Sequence, residues 1–221
     1  MSFFGFRRPE MVTQSEALPG RDAEVLGGSP VHTVLGTPLK CRESFPDDWQ
    51  NIYLGMGCFW GAERRLWRLP GVFTTAVGYE GGYTTNPTYE EVCTGQTGHT
   101  ETVQVVYDPG QLPLFDILKV FWENHDPTQG YQQGNDVGTQ YRSAIYWTTP
   151  EQRDIAMQTR DIYQSVLTAA GLNPITTDIE PAAEWPFFYA EDYHQQYLDK
   201  NPNGYDCHAN TGYELPPLTA H

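Results

Sequence analysis

The chain has 221 residues, 39% hydrophobic and 14% aromatic, enough for one domain of ordinary size with its own core. Its formal net charge is −15, from 13 basic against 28 acidic residues, which excludes the basic footprint that nucleic acid or an anionic membrane requires. No run of roughly 20 apolar residues exists to span a bilayer, and residues 1–8 lack the apolar stretch of a signal peptide.

Four cysteines (Cys41, Cys58, Cys93, Cys207) with no C-x-x-C pair are too few for a secreted disulfide framework, so a cytoplasmic, reducing setting is expected. No two histidines stand at i, i+4 on a predicted helix, so no metal and no other cofactor is expected.

Residues 1–48 are rich in Pro, Gly and charge and have no sustained period; they read as an N-terminal arm, with Cys41 a bystander in it. Asn51 to Met56 is a short apolar strand. A helix follows from near Cys58 to Arg68 and stops at Leu69-Pro70-Gly71. Val72 to Tyr79, β-branched and aromatic, is the second strand. The stretch from Glu80 to Thr100 reads as one long loop, a length usual for functional loops. Glu101 to Tyr107 is the third strand, Leu114 to Trp122 a strongly apolar helix, and Tyr141 to Trp147 the fourth strand. Pro150 opens a long helix that Gly171 ends. Ile175 to Ile179 reads as an edge strand, Glu191 to Lys200 as a short helix, and the rest as tail.

This order is β-α-β-β-α-β. The fold class is α+β: a ferredoxin-like split βαβ core, a two-layer α/β sandwich, with an N-terminal arm and a coiled C-terminal tail. The units are 1–48 (arm), 49–200 (α/β domain) and 201–221 (flexible tail carrying Cys207). With the usual antiparallel strand order four-one-three-two, the first strand runs up to Cys58. The third and fourth strands start beside it, so Glu101 and Tyr141 reach the same sheet edge. The 80–100 loop and the loop holding Asp136 open there too.

Cys58 sits between Gly57 and Gly61, with Phe59 and Trp60 beside it. Gly57 permits a tight turn and Gly61 a close approach. A thiol at a helix N-terminus meets free N–H groups and the positive dipole end, so a lowered pKa is expected. As an isolated observation, a buried core cysteine is the commoner reading.

Several motifs recur in order: Gly57-Cys58-Phe59-Trp60-Gly61, Gly81-Gly82-Tyr83, Asn86-Pro87-Thr88-Tyr89-Glu90-Glu91-Val92-Cys93 and Gly98-His99-Thr100-Glu101. Gln133-Gly134-Asn135-Asp136, Gly138-Thr139-Gln140-Tyr141-Arg142-Ser143, Glu191-Asp192-Tyr193-His194 and Asn201-Pro202-Asn203-Gly204-Tyr205 follow. Together they resemble peptide methionine sulfoxide reductase, class A, over about residues 48–208. Ala17 to Arg21 is similar to the arm of longer bacterial members.

The resemblance implies reduction of methionine-(S)-sulfoxide, free or in proteins. It implies Cys58 as nucleophile, Glu101 as acid, Tyr89 and Tyr141 as hydroxyl donors, Phe59 and Trp60 as an apolar pocket, and Asp136 in substrate positioning. It also implies a Cys58 sulfenic acid resolved by Cys207 into a disulfide, which thioredoxin or a similar thiol reduces. Family members commonly carry Cys directly after Gly-Tyr; here Asp206 stands there and Cys207 comes one place later. A further recycling cysteine is absent, Tyr213, Glu214 and Leu215 occupying that region. Cys93 matches a position not usually catalytic.

The chemistry agrees with those roles. A sulfoxide sulfur becomes electrophilic once its oxygen is protonated, and a carboxyl in a dry pocket keeps a proton near neutral pH. His99 and His194 are read as structural hydrogen-bonders. A monomer is expected. Two rivals use the same residues differently: a Cys-dependent acyl hydrolase with His194 and Asp192 behind Cys58, and a thiol redox-sensing module without a pocket.

Overall fold

The protein is described by a computed structural model covering residues 9–40, 45–46, 48–207 and 209–218. Cys41 lies outside the described residues. In chain order the elements are β1 (Gln50–Met56), α1 (Phe59–Leu66), β2 (Val72–Glu80), α2 (Tyr89–Cys93), β3 (Thr100–Tyr107) and α3 (Leu114–Glu123). A small hairpin follows, β4 (Gln132–Gln133) and β5 (Asp136–Val137), then β6 (Ser143–Trp147), α4 (Pro150–Ala169), β7 (Asp178–Pro181), β8 (Phe188–Tyr189) and α5 (Tyr197–Lys200).

One six-stranded sheet has the order β7-β6-β1-β3-β2-β8. Its four central strands take the predicted four-one-three-two order. They pair antiparallel, and only β7 runs parallel to its neighbour β6. The mixed α/β, mostly antiparallel fold expected from the sequence is therefore observed.

Strand alternation explains the layering. Ile52, Leu54, Val77, Tyr79, Val103, Val105 and Ile145 all enter the core shared with the helices. In α3, Leu114, Ile117, Leu118, Phe121 and Trp122 are buried, an i, i+3, i+4, i+7, i+8 stripe. Each such side chain contributes about 1.5–3 kcal/mol by leaving water. The other sheet face has Tyr53, Ala144 and Tyr146 under Ala182, Trp185 and Phe187.

Three local readings change. The 80–100 loop contains α2, begun by a capping box in which Thr88 and Glu91 satisfy each other's backbone N–H. The fourth strand starts at Ser143, because Thr139–Tyr141 form a 3-10 turn whose Gln140 carbonyl accepts from Thr100 Oγ1 at 3.0 Å. The predicted helix Glu191–Lys200 is broken into a 3-10 turn (Asp192–His194) and α5, with Gln196 left-handed at φ +48°. Buried glutamines cause the break. Gln195 pairs with the Val77 N–H at 2.9 Å and C=O at 2.8 Å, and Gln196 donates from N and Nε2 to buried Glu63 at 2.9 and 2.7 Å.

The described parts of the N-terminal arm and of the C-terminal tail contact the domain. Arg21 makes a two-pronged bond to Glu91, at 2.7 and 3.0 Å, and buried His32 meets Thr75 Oγ1 at 3.0 Å. In the tail, Leu215 is buried and its N–H donates to Glu123 at 2.7 Å.

Candidate active site

β1 ends at Met56, and Gly57, at φ +83°, turns the chain into α1. A Cβ on Gly57 would come within 2.5 Å of Gln133 Cγ, so only glycine suits both the turn and the contact with β4. Cys58 is the N-cap of α1 and is 8% exposed. Its sulfur receives a hydrogen bond from the Trp60 N–H.

That bond is the helix-terminus effect expected for a lowered thiol pKa, yet the net shift is upward. Burial pushes the Cys58 thiol well above its ordinary range, and the nearby Glu101, Asp136 and Cys207 push it further. One N–H bond does not offset loss of solvation together with three acidic neighbours. Burial and these neighbours favour the thiol form of Cys58.

Glu101, the second residue of β3, is 1% exposed. Its Oε2 accepts the Phe59 N–H at 2.9 Å, tying it to the residue after Cys58. Burial raises its pKa to about 8; the Phe59 bond opposes the rise and Asp136 adds to it. At neutral pH Glu101 carries a proton that it can give away.

Tyr89 opens α2. Its N–H bonds Glu191 at 2.9 Å, and its hydroxyl donates to Cys93. Tyr141 ends the 3-10 turn. Both phenols are held protonated, chiefly by burial and then by Glu101. Phe59 is buried among Tyr79, Trp60 and His194 and forms a floor; Trp60 is half-buried above it and stacks on Tyr197 at 3.9 Å. Asp136, on β5, accepts from the Tyr205 hydroxyl at 3.2 Å. The Cys207 thiol lies against the Gln133 carbonyl at 3.7 Å. Cys58 lies within electrostatic reach of Glu101, Asp136 and Cys207, and Tyr89 and Tyr141 lie within reach of Glu101.

Sequence reading left out part of the wall. The Trp60 indole N–H donates to His194 Nδ1 at 3.0 Å, and burial lowers His194 to a pKa of about 4, so it is a neutral acceptor. Tyr197, stacked on Trp60, and Tyr205, bonded to Asp136, also border the site. Their signal lay in the His194–Tyr205 motifs, but no spacing rule links them to Trp60 or Cys58 across more than a hundred residues. Among the described residues, no group of three or more His, Cys, Asp or Glu could hold a metal. A cavity of about 520 Å³, walled by Trp49, Tyr53, Glu80, Trp147 and Phe187, includes none of the residues around Cys58.

The arrangement joins a sulfur nucleophile, a protonated carboxyl, two hydroxyls and an aromatic wall. It can hold an electron-rich oxygen by hydrogen bonds while sulfur attacks the atom that bears it. It does not suit a Cys–His hydrolase, because His194 Nδ1 is already taken by Trp60.

Residues 50–218 match the family model described as peptide methionine sulfoxide reductase. The peptide methionine sulfoxide reductase MsrA of Rhodospirillum centenum is 56% identical over 216 residues, covering 98% of this chain and 96% of that protein. The protein of the same description from Brucella anthropi is 54% identical, covering 98% of each. Methionine sulfoxide reductase A of Corynebacterium diphtheriae superposes with a TM-score of 0.84 at 48% identity, covering 95% of this chain and 100% of that one. Reduced Mxr1 from Saccharomyces cerevisiae gives 0.65 at 34% identity, covering 74% and 91%.

Proposed function

Since the chain belongs to the peptide methionine sulfoxide reductase family and reduces methionine sulfoxide with thiols as reductant, we propose that Cys58 is its nucleophile and Glu101 its proton donor. One observation carries this assignment. Cys58 caps the first turn of α1, the buried Glu101 carboxyl accepts the Phe59 N–H of that same turn at 2.9 Å, and burial raises Glu101 to a pKa of about 8.

The substrate oxygen is held by Glu101, Tyr89 and Tyr141. Its thioether methyl lies against Phe59 and Trp60, and Asp136 helps to position the rest. Protonation of the oxygen makes the substrate sulfur electrophilic, and the Cys58 sulfur attacks it, its thiol proton passing back to Glu101; the oxygen then passes to Cys58 as the substrate S–O bond and the transient S–S bond both break. Cys58–SH and the sulfoxide become Cys58–SOH and methionine, with no net proton gained or lost. Carboxyl, aromatic wall and thiol fix three substituents of a pyramidal sulfur, so one hand alone is accepted; by resemblance it is the S epimer.

Cys207 then attacks the sulfenic sulfur. The Cys58–Cys207 bond forms, the S–O bond breaks and water leaves. Thioredoxin or a similar dithiol reduces this disulfide by exchange, and the protein acts as a monomer in the cytoplasm. No helix among the described residues is long and apolar enough to cross a membrane, and Cys58, Cys93 and Cys207 are free thiols.

The test uses the two separated methionine sulfoxide epimers with dithiothreitol. Wild type should release methionine from the S epimer alone. Cys58→Ser should release none, even in a single turnover; stoichiometric release by that variant would refute the assignment.

A further inference from the structure

We propose that Asp206 is a positioning residue for the resolving step: its ion pairs with Arg64 and Arg65 hold the tail where Cys207 meets Cys58. The inference rests on the reading of Cys207 given above.

The geometry starts on α1. Gly61 lies three residues beyond Cys58, so the two share a helix face. A Cβ on Gly61 would run into Asp206 Oδ1 and would lie 3.4 Å from the Cys207 carbonyl. The tail therefore crosses α1 directly over Gly61. The Cys207 thiol, for its part, lies against the Gln133 carbonyl, and Gln133 packs on Gly57. Cys207 thus spans the turn from Gly61 to Gly57, with Cys58 between.

Asp206 makes the contacts that pin this crossing to α1. One carboxylate oxygen pairs with Arg64, and Oδ1 accepts from Arg65 Nη1 at 3.1 Å. Arg65 is itself fixed by Gly61 O at 2.8 Å and Asn124 Oδ1 at 3.3 Å. The Asp206 side chain is 9% exposed, with Arg64 and Arg65 at 25% and 20%. A pair so shielded is screened less than a surface ion pair. The tail has other anchors, and Tyr205, which also bonds Cys207, acts on the Asp136 side rather than on α1. Tyr205 reaches Asp136, while Thr211, Tyr213 and Leu215 are tied to Tyr163 and Glu123.

Disulfide formation needs the two Cα atoms within about 7 Å. A freely moving tail satisfies that only a fraction of the time. Fixing the neighbouring residue raises the effective concentration of the Cys207 thiol at Cys58 without adding a contact to the reacting atoms. Asp206 is the tie that makes Cys207 competent.

The experiment separates the two half-reactions in full-length protein. Pre-reduced wild type, Asp206→Asn, Asp206→Glu and Arg64→Gln are each mixed with one equivalent of substrate. Methionine release reports the first step. Dimedone trapping of the Cys58 sulfenic acid, and the Cys58–Cys207 peptide by mass spectrometry, report the second. Asp206→Asn and Arg64→Gln should release methionine at the wild-type rate but form the disulfide about tenfold more slowly or worse, with a longer-lived sulfenic acid. Asp206→Glu should recover part of the rate, and the Asp206→Asn/Arg64→Gln double variant should be no slower than Asp206→Asn alone. A merely structural role would slow both steps together. If Asp206→Asn closes the disulfide at the wild-type rate while Cys207→Ser stalls with thioredoxin, the clamp is wrong and the Cys207 reading stands. Normal thioredoxin-dependent turnover by Cys207→Ser overturns the Cys207 reading and the clamp with it.

Discussion

Cys58 and Glu101 restrain each other's ionisation. Glu101 is the second-largest cause, after burial, of the high thiol pKa, so a carboxylate there opposes a thiolate. A proton on Glu101 removes that repulsion and is also the proton the sulfoxide oxygen needs. Two outcomes follow for Glu101→Gln. General acid catalysis is worth ~10²–10⁴-fold, so first-turnover methionine release at neutral pH should slow by about that factor, and the inflection near pH 8 should vanish from its pH profile. The Cys58 thiol should also titrate at lower pH than in wild type, measured by the pH dependence of iodoacetamide alkylation. An unchanged release rate would remove Glu101 from the mechanism.

At the level of single elements, α1 shows local preference and tertiary contact in opposition. Helix propensity favours Ala over Gly by about 1 kcal/mol, so Gly61→Ala should strengthen α1 in isolation. In the folded protein the added methyl meets Asp206 and the Cys207 backbone. Gly61→Ala should therefore lift the tail. Limited proteolysis should cut within 201–218 faster than in wild type, and an unchanged digestion pattern would show that the crossing tolerates a side chain.

α2 was legible and was passed over, since Thr88-x-x-Glu91 is a capping box in plain sequence. The break in Glu191–Lys200 was not legible. It depends on Gln195 and Gln196 reaching Val77 and Glu63, more than a hundred residues back.

Across the whole molecule, buried ionisable groups set how stability changes with pH. Glu63, held by Thr75 and Gln196, is raised by burial to about 7; Glu101 to about 8; and Glu80, with no hydrogen-bond partner for either oxygen among the described residues, is raised well above the usual carboxylate range. Each binds its proton more tightly folded than unfolded. Their contribution is therefore complete below about pH 4.5 and is lost as pH rises toward the folded values. His32, His99, His125 and His194 act in the opposite sense. Burial lowers each to about 4, so they cost stability only as pH falls below about 6.5.

Above pH 6.5 the carboxyls act without that opposition, and urea unfolding should show stability falling between pH 6.5 and 8. Glu80→Gln should be more stable than wild type at pH 8, with the difference gone by about pH 5. A constant difference across that range would contradict the linkage.

What the sequence determined by itself was local and periodic. Alternation marked the central strands, the 114-117-118-121-122 spacing marked α3, and paired glycines marked the turn at Cys58. With a standard strand order these brought Cys58, Glu101 and Tyr141 to one edge, because chain direction follows from connectivity alone. The tertiary structure decided the quantities that depend on what covers a residue. The thiol pKa moved up rather than down, since burial desolvates the thiol and the charges of Glu101, Asp136 and Cys207 oppose the thiolate, none of which is readable from the residues flanking Cys58. The tail's path over Gly61 was decided in the same way, by an aspartate meeting two arginines about 140 residues away. Periodicity reports which face of an element is buried; it carries no record of which distant group buries it.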